Sequence, residues 1–195
     1  MPASPTPRAW PASTIPRCLP GSRSGRGGGE VNMPDLPAFE IGETRPDEFG
    51  AILRMTRAVT VFDQEEVDTV QELLDGYADS PEESGYYFLS CRENGQLLGF
   101  VCYGPRALTA NGYDLYWVAA DVTARHRGVG RALVRRVEEE VLKRGGVWVE
   151  IETSDTEPYA PARRLYERCG YTLSMHLPDF YHDGDGLCVY TRRLR

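Results

Sequence analysis

The stretch Trp117-Val118-Ala119-Ala120-Asp121-Val122-Thr123-Ala124-Arg125-His126-Arg127-Gly128-Val129-Gly130-Arg131-Ala132-Leu133 decides how the rest of the chain is read. Its first residues are apolar and read as a strand that ends in a polar turn. Beyond the turn, Val129, Leu133, Val137 and Val141 recur at four-residue spacing, which predicts an amphipathic helix over about 128–144. Gly145-Gly146 supplies its stop. Strand and helix are joined by Arg125-x-x-Gly128-x-Gly130. Glycines there let the backbone approach a ligand without Cβ atoms in the way. The N–H groups of His126, Arg127, Gly128, Val129, Gly130 and Arg131 would point out of the helix start, and with the helix dipole they make an anion site suited to a pyrophosphate. Arg127 or Arg131 would add charge-assisted contacts. An ordinary tight turn needs such glycines too. A dinucleotide-binding turn requires G-x-G-x-x-G, but here Ala132 and Leu133 follow Gly130, and the motif comes late in the chain.

Upstream, Phe39 to Thr44 alternates as a short first strand. Pro46 suits the first turn of a helix running from about Asp47 to Ala58. Asp63, with Glu66 three residues on, opens a second helix whose apolar face holds Val67, Val70, Leu73, Leu74 and Tyr77. Tyr86–Arg92 and Leu97–Tyr103 are apolar runs joined at Glu93-Asn94-Gly95-Gln96, a strong hairpin signal. Tyr113–Ala120 is the strand before the motif. Downstream come a strand over 147–153, a short helix over 161–169 stopped by Gly170, and strands over 171–177 and 187–192 around a polar loop. This order implies an α/β (α+β mixed) domain, a mixed sheet flanked by helices.

The residues Arg125, Gly128 and Gly130, after a strand and before a helix, resemble the signature of the GNAT superfamily of N-acetyltransferases. Ala162-Arg163-Arg164-Leu165-Tyr166-Glu167-Arg168-Cys169-Gly170-Tyr171 is similar to the family's late signature, in the family's order and separation. The resemblance spans about Phe39 to Leu194. It implies a central mixed, mostly antiparallel sheet of about seven strands with about four helices, and direct transfer of acetyl from acetyl-CoA to an amine. It also implies that the fourth strand splays from the fifth. Val118, Ala119 and Ala120 would bind the pantetheine arm between them, and the helix start would hold the diphosphate. Tyr166 matches the family tyrosine that serves as general acid; its other reading is packing of the helix on the sheet. Asp114, eleven residues before Arg125, matches the spacing of a catalytic glutamate in some members. Glu150 and Glu152 compete with it for the role of base. Tyr159 departs from the pattern, standing where the family often has an asparagine that contacts the cofactor. The loop Pro178 to Asp185 is expected to border the acceptor site, its carboxylates attracting a cationic amine or serving only as solvated surface. A CoA-binding sensor domain would keep the glycines without needing Tyr166; another acyl-CoA as donor is a further alternative.

The formal charge of −7 argues against a nucleic-acid binder held by a broad basic surface. It suits solubility and, more weakly, a cationic partner, here a small-molecule amine or a protein amine. No apolar run approaches the ~18 residues that span a bilayer. The five cysteines match no metal or disulfide spacing, and the four that sit inside apolar strands or beside a helix end read as buried thiols of a cytoplasmic protein; no metal is expected. A homodimer is left open. Residues 1–33 are rich in proline, glycine and arginine, with four arginines against Glu30 alone, and read as a disordered tail before a domain over 34–195. A targeting peptide is one reading of this tail; another is a start at Met33, since Gly28 to Asn32 back-translates to a strong bacterial ribosome-binding sequence before it, and the tail is expected to be translated upstream sequence or a dispensable extension. With 21 arginines and only Lys143 as lysine, the composition points to a GC-rich bacterial genome.

Overall fold

Positive φ at both central residues of a two-residue hairpin loop matches the twist of the strands it joins. Asn94 (φ 50°) and Gly95 (φ 78°) have it, and between Tyr87–Glu93 (β2) and Gln96–Pro105 (β3) they make the expected hairpin. The computed structural model describes residues 39–59, 62 and 64–195. The expected tail and the capping role of Asp63 lie outside the described residues.

The hairpin sits in a seven-stranded sheet of order β1-β2-β3-β4-β5-β7-β6. The other strands are Glu40–Glu43 (β1), Gly112–Ala120 (β4), Trp148–Ser154 (β5), Thr172–His182 (β6) and Asp185–Arg193 (β7). Only β4 and β5 run parallel. Phe49–Ala58 (α1) and Gln64–Asp79 (α2) cover one face of the sheet, where Ile52, Leu74 and Phe100 are fully buried. Val129–Lys143 (α4) and Ala160–Arg168 (α5) cover the other. Val129, Leu133, Val137 and Val141 are all at most 1% exposed. Each such side chain contributes about 1.5–3 kcal/mol, so the four-residue stripe seats α4 on the sheet. The four described cysteines, Cys91, Cys102, Cys169 and Cys188, are buried free thiols.

Two elements differ from expectation. Pro81–Ser84 (α3) is a single turn that no periodicity can reveal; its signals are Ser80, which accepts from the Glu83 N–H at 3.3 Å, and Pro81. The segment from Pro178 to Asp185 is not a free loop. β6 runs on through it to His182, and β7 begins at Asp185. The register slips between Leu177 and His182, and Asp179 takes φ 54° while its carboxylate accepts the Gly184 N–H at 2.7 Å. Pro178 cannot donate to a ladder, but β6 is the edge strand, where proline and a bulge are tolerated.

A buried ion pair ties the first elements to the sheet. Glu48, in a 3₁₀ turn over Pro46–Glu48, accepts two 2.6 Å bonds from Arg92 of β2. Arg92 also donates to the Glu43 carbonyl at 2.8 Å. Both side chains are less than 10% exposed. Among the described residues no helix is long and apolar enough to cross a membrane.

Candidate active site

The parallel pairing of β4 with β5 stops early. Gly112, Tyr113 and Asp114 pair with Trp148, Val149 and Glu150, and the ladder ends there. β4 nevertheless continues to Ala120 and β5 to Ser154. Both stay paired along their other edges, with β3 and β7. The sheet therefore opens into a V whose apex is Asp114 beside Glu150, and Leu115 to Ala120 of β4 face the opening without a strand partner. The β3–β4 register slips at Tyr116, between the pairs Tyr103–Leu115 and Cys102–Trp117. Such a bulge bends and twists its strand, which helps turn β4 away from β5.

The chain leaves β4 at the mouth of the V and enters α4. His126 has φ 63° and Gly128 φ 89°. The latter conformation favours glycine and sets Gly128 as N-cap. No side chain caps α4, and its first backbone bond runs from the Ala132 N–H to the Gly128 carbonyl at 2.9 Å. The preceding N–H groups of the first turn have no intrahelical acceptor, as at any helix start. Arg125 is exposed beside them. Arg127 is engaged elsewhere: its amide meets the Ala124 carbonyl at 3.4 Å and its guanidinium meets Glu93 at 2.5 Å. Gly130 also has a packing role, because a Cβ there would come within 2.9 Å of Leu165 Cδ2. The bare backbone lets α5 approach α4.

Leu165 precedes Tyr166, which is 5% exposed and lies 5.8 Å from Tyr190, ring to ring. Among the described residues no group hydrogen-bonds its hydroxyl. Burial pushes that hydroxyl well above the usual phenol range, so it stays protonated. Arg163 donates to the carbonyls of Ser154 and Thr156, at 2.7 Å each, and so pins α5 to the open end of β5.

The opposite sheet face carries the carboxylates. Leu115, Val149 and Ile151 point into the α4 core, so strand alternation puts Asp114, Glu150 and Glu152 together on the other side. One cation serves the apex: Arg106, in the β3–β4 loop, meets Asp114 at 2.7 Å and also bonds Glu150. No motif marked Arg106 in the sequence; its only signal was a lone cation eight residues before Asp114. Burial raises the pKa of Asp114, Glu150 and Glu152, and Arg106 opposes the rise at all three. Glu152, open to solvent along part of its surface, makes no ion pair among the described residues. Aromatic rings flank this side: Tyr116 lies edge-on to Tyr86 at 5.4 Å, and Phe62 edge-on to Trp117 at 5.1 Å. A cavity of about 390 Å³ opens beside the apex, lined by Arg106, Glu150, Trp148 and Thr191 among others.

Of the carboxylates expected to attract an amine from the 178–185 segment, two of the three are occupied. Asp179 holds Gly184, and Asp185 accepts from the Ser154 hydroxyl at 2.6 Å. His176 meets Asp155 at 2.7 Å and helps tie β6 to the start of the α5 connection. Among the described residues no cluster of His, Cys, Asp or Glu could hold a metal ion.

Residues 52–171, more than half of the chain, match the model of the acetyltransferase (GNAT) family. A protein from Desulfovibrio desulfuricans assigned to that family is 34% identical, with a TM-score of 0.78 over 81% of this chain and 100% of its own. The fold is shared with an aminoglycoside 6'-N-acetyltransferase complexed with coenzyme A, at 17% identity and a TM-score of 0.65 over 80% of this chain and 97% of that one. It is also shared with the ribosomal-protein-S18-alanine N-acetyltransferase of Escherichia coli, at 19% identity and a TM-score of 0.64 over 80% and 94%. No curated protein sequence matches the chain significantly. The chain belongs to the GNAT acetyltransferase family, enzymes that transfer acyl groups from acyl-CoA.

Coenzyme A suits this frame. It needs a slot with free backbone groups for an extended amide-bearing arm and donors for a diphosphate. The unpaired edge of β4 and the uncapped start of α4 offer both at one mouth.

Proposed function

We propose that the protein transfers an acetyl group from acetyl-CoA directly to the neutral amine of a cationic acceptor, a small molecule or a protein. The observation that carries this reading is the V between β4 and β5, with carboxylates on one face of its apex and, in the core on the other face of the sheet, a tyrosine that burial keeps protonated. Val118, Ala119 and Ala120 would hold the pantetheine arm, and Gly128, Val129, Gly130 and Arg131 the diphosphate, with His126 and Arg125 beside them. Acetyl-CoA supplies the reactive thioester. Asp114, directly or through a water, takes the proton that the ammonium must lose before it can attack. Tyr166, which burial keeps protonated, donates a proton to the departing thiolate. Arg127, tied to Glu93, contributes least.

Glu152 gives the acceptor site its preference for positive charge. In a panel of amines, thiol release from acetyl-CoA is expected to favour acceptors with a second positive charge over neutral ones. Glu152→Gln is expected to raise the KM for such acceptors about tenfold, the size of one lost charged hydrogen bond, and to leave kcat within about twofold. Equal KM values for the two enzymes would remove Glu152 from recognition. No thiol release with any amine would reject the reading itself.

A further inference from the structure

We propose that Arg106 is a positioning residue for this reaction: its guanidinium clamps Asp114 against Glu150 at the apex of the V and holds the Asp114 carboxylate ionised and turned toward the acceptor. The inference rests on the acyl-transfer reading above. Three observations carry it. Arg106 leaves the end of β3 through a loop that is itself pinned, since its amide donates to the Gly112 carbonyl at 2.9 Å and its carbonyl accepts from the Thr109 hydroxyl at 2.9 Å. The loop therefore aims the guanidinium at a fixed place. One nitrogen of that guanidinium, Nη1, meets both carboxylates. These two residues form the last rung before the strands part, so the clamp sits at the apex itself.

Its chemical consequence follows from the groups around Asp114. Arg106 faces it from the loop, Glu150 from β5, and Tyr116 from β4 itself, with Glu152 further along β5 and Tyr86 behind Tyr116. All but Arg106 are acids. Two neighbouring carboxylates and partial burial favour a proton on Asp114, and a protonated Asp114 cannot act as base. Arg106 is the only cation that bonds this group among the described residues. A role confined to holding the loop would leave the proton affinity of Asp114 alone.

The test follows the Asp114 carboxyl by carbon NMR titration, with kcat/KM against pH, in wild type, Arg106→Gln, Arg106→Lys and Glu150→Gln. Since one nitrogen serves both partners, a lysine ammonium can stand in for it. Arg106→Gln is expected to raise the Asp114 midpoint and the acid limb together by about 1–3 units, the usual effect of losing an adjacent opposite charge. Arg106→Lys restores most of that shift. Glu150→Gln, which removes a like charge, moves both downward, and this nearly isosteric variant serves if Arg106→Gln does not fold. Unmoved midpoints in Arg106→Gln and Glu150→Gln overturn the proposal. A midpoint that moves while the acid limb stays still overturns it too, by removing Asp114 as base, yet leaves acyl transfer intact. The titration needs no turnover, so its failure is distinct from a failure of acyl transfer.

Discussion

Tyr166→Phe is expected to lower kcat by about 10²–10³-fold, within the range for losing a general acid or base, while acetyl-CoA binding stays within about twofold. The change deletes one oxygen. Among the described residues no partner accepts from or donates to that oxygen, so its loss strands no polar group. The ring keeps its contact with Tyr190 and its place in the core cluster shared with α4. Stability should therefore hold or rise slightly, and the melting temperature is the control. Because burial keeps the hydroxyl protonated far above neutrality, the wild-type rate should show no basic limb from Tyr166 below about pH 10. A Phe variant that turns over like wild type would reduce Tyr166 to packing.

Arg92→Ala is expected to destabilise the fold by about 3–5 kcal/mol, the cost of leaving a buried charge without its partner. Glu48 would lose both 2.6 Å bonds, and the Glu43 carbonyl would lose its donor. Replacing Glu48 by leucine as well should recover part of the loss, because an apolar pair avoids the stranded carboxylate. Burial pushes the Glu48 pKa up, but the bonds from Arg92 and the Arg45 amide outweigh it and hold the value below 4.5. A group with a depressed folded pKa contributes stability above its unfolded value and loses it as the pH falls toward the folded one. Wild type should thus weaken as the pH drops below 4.5, and Arg92→Ala should lack that dependence. Urea unfolding at pH 7 and across the acid range measures both effects.

What could be read from the sequence was local. The four-residue stripe of α4, the Asn94-Gly95 hairpin and the Arg125-x-x-Gly128-x-Gly130 turn each specify their geometry within a few residues, and the structure has all three. Arg106 escaped notice because its meeting with Glu150 depends on strand register between segments 44 positions apart. The Arg92–Glu48 pair, also 44 positions apart, is of the same kind. Pro178-Asp179 was misleading for a different reason. A proline next to an aspartate signals a turn, but an edge strand can absorb both as a bulge. Gly130 shows a third limit: one glycine serves the helix start and the approach of α5, and only the position of Leu165 reveals the second role.

Amide hydrogen exchange with and without coenzyme A tests most directly whether the cofactor lies in the V. Slowed exchange on adding the ligand is predicted at Val118 to Ala120 and at Gly128 to Gly130, with the outer strands β1 and β6 unchanged. Binding by calorimetry without any slowing at those two segments would contradict the account.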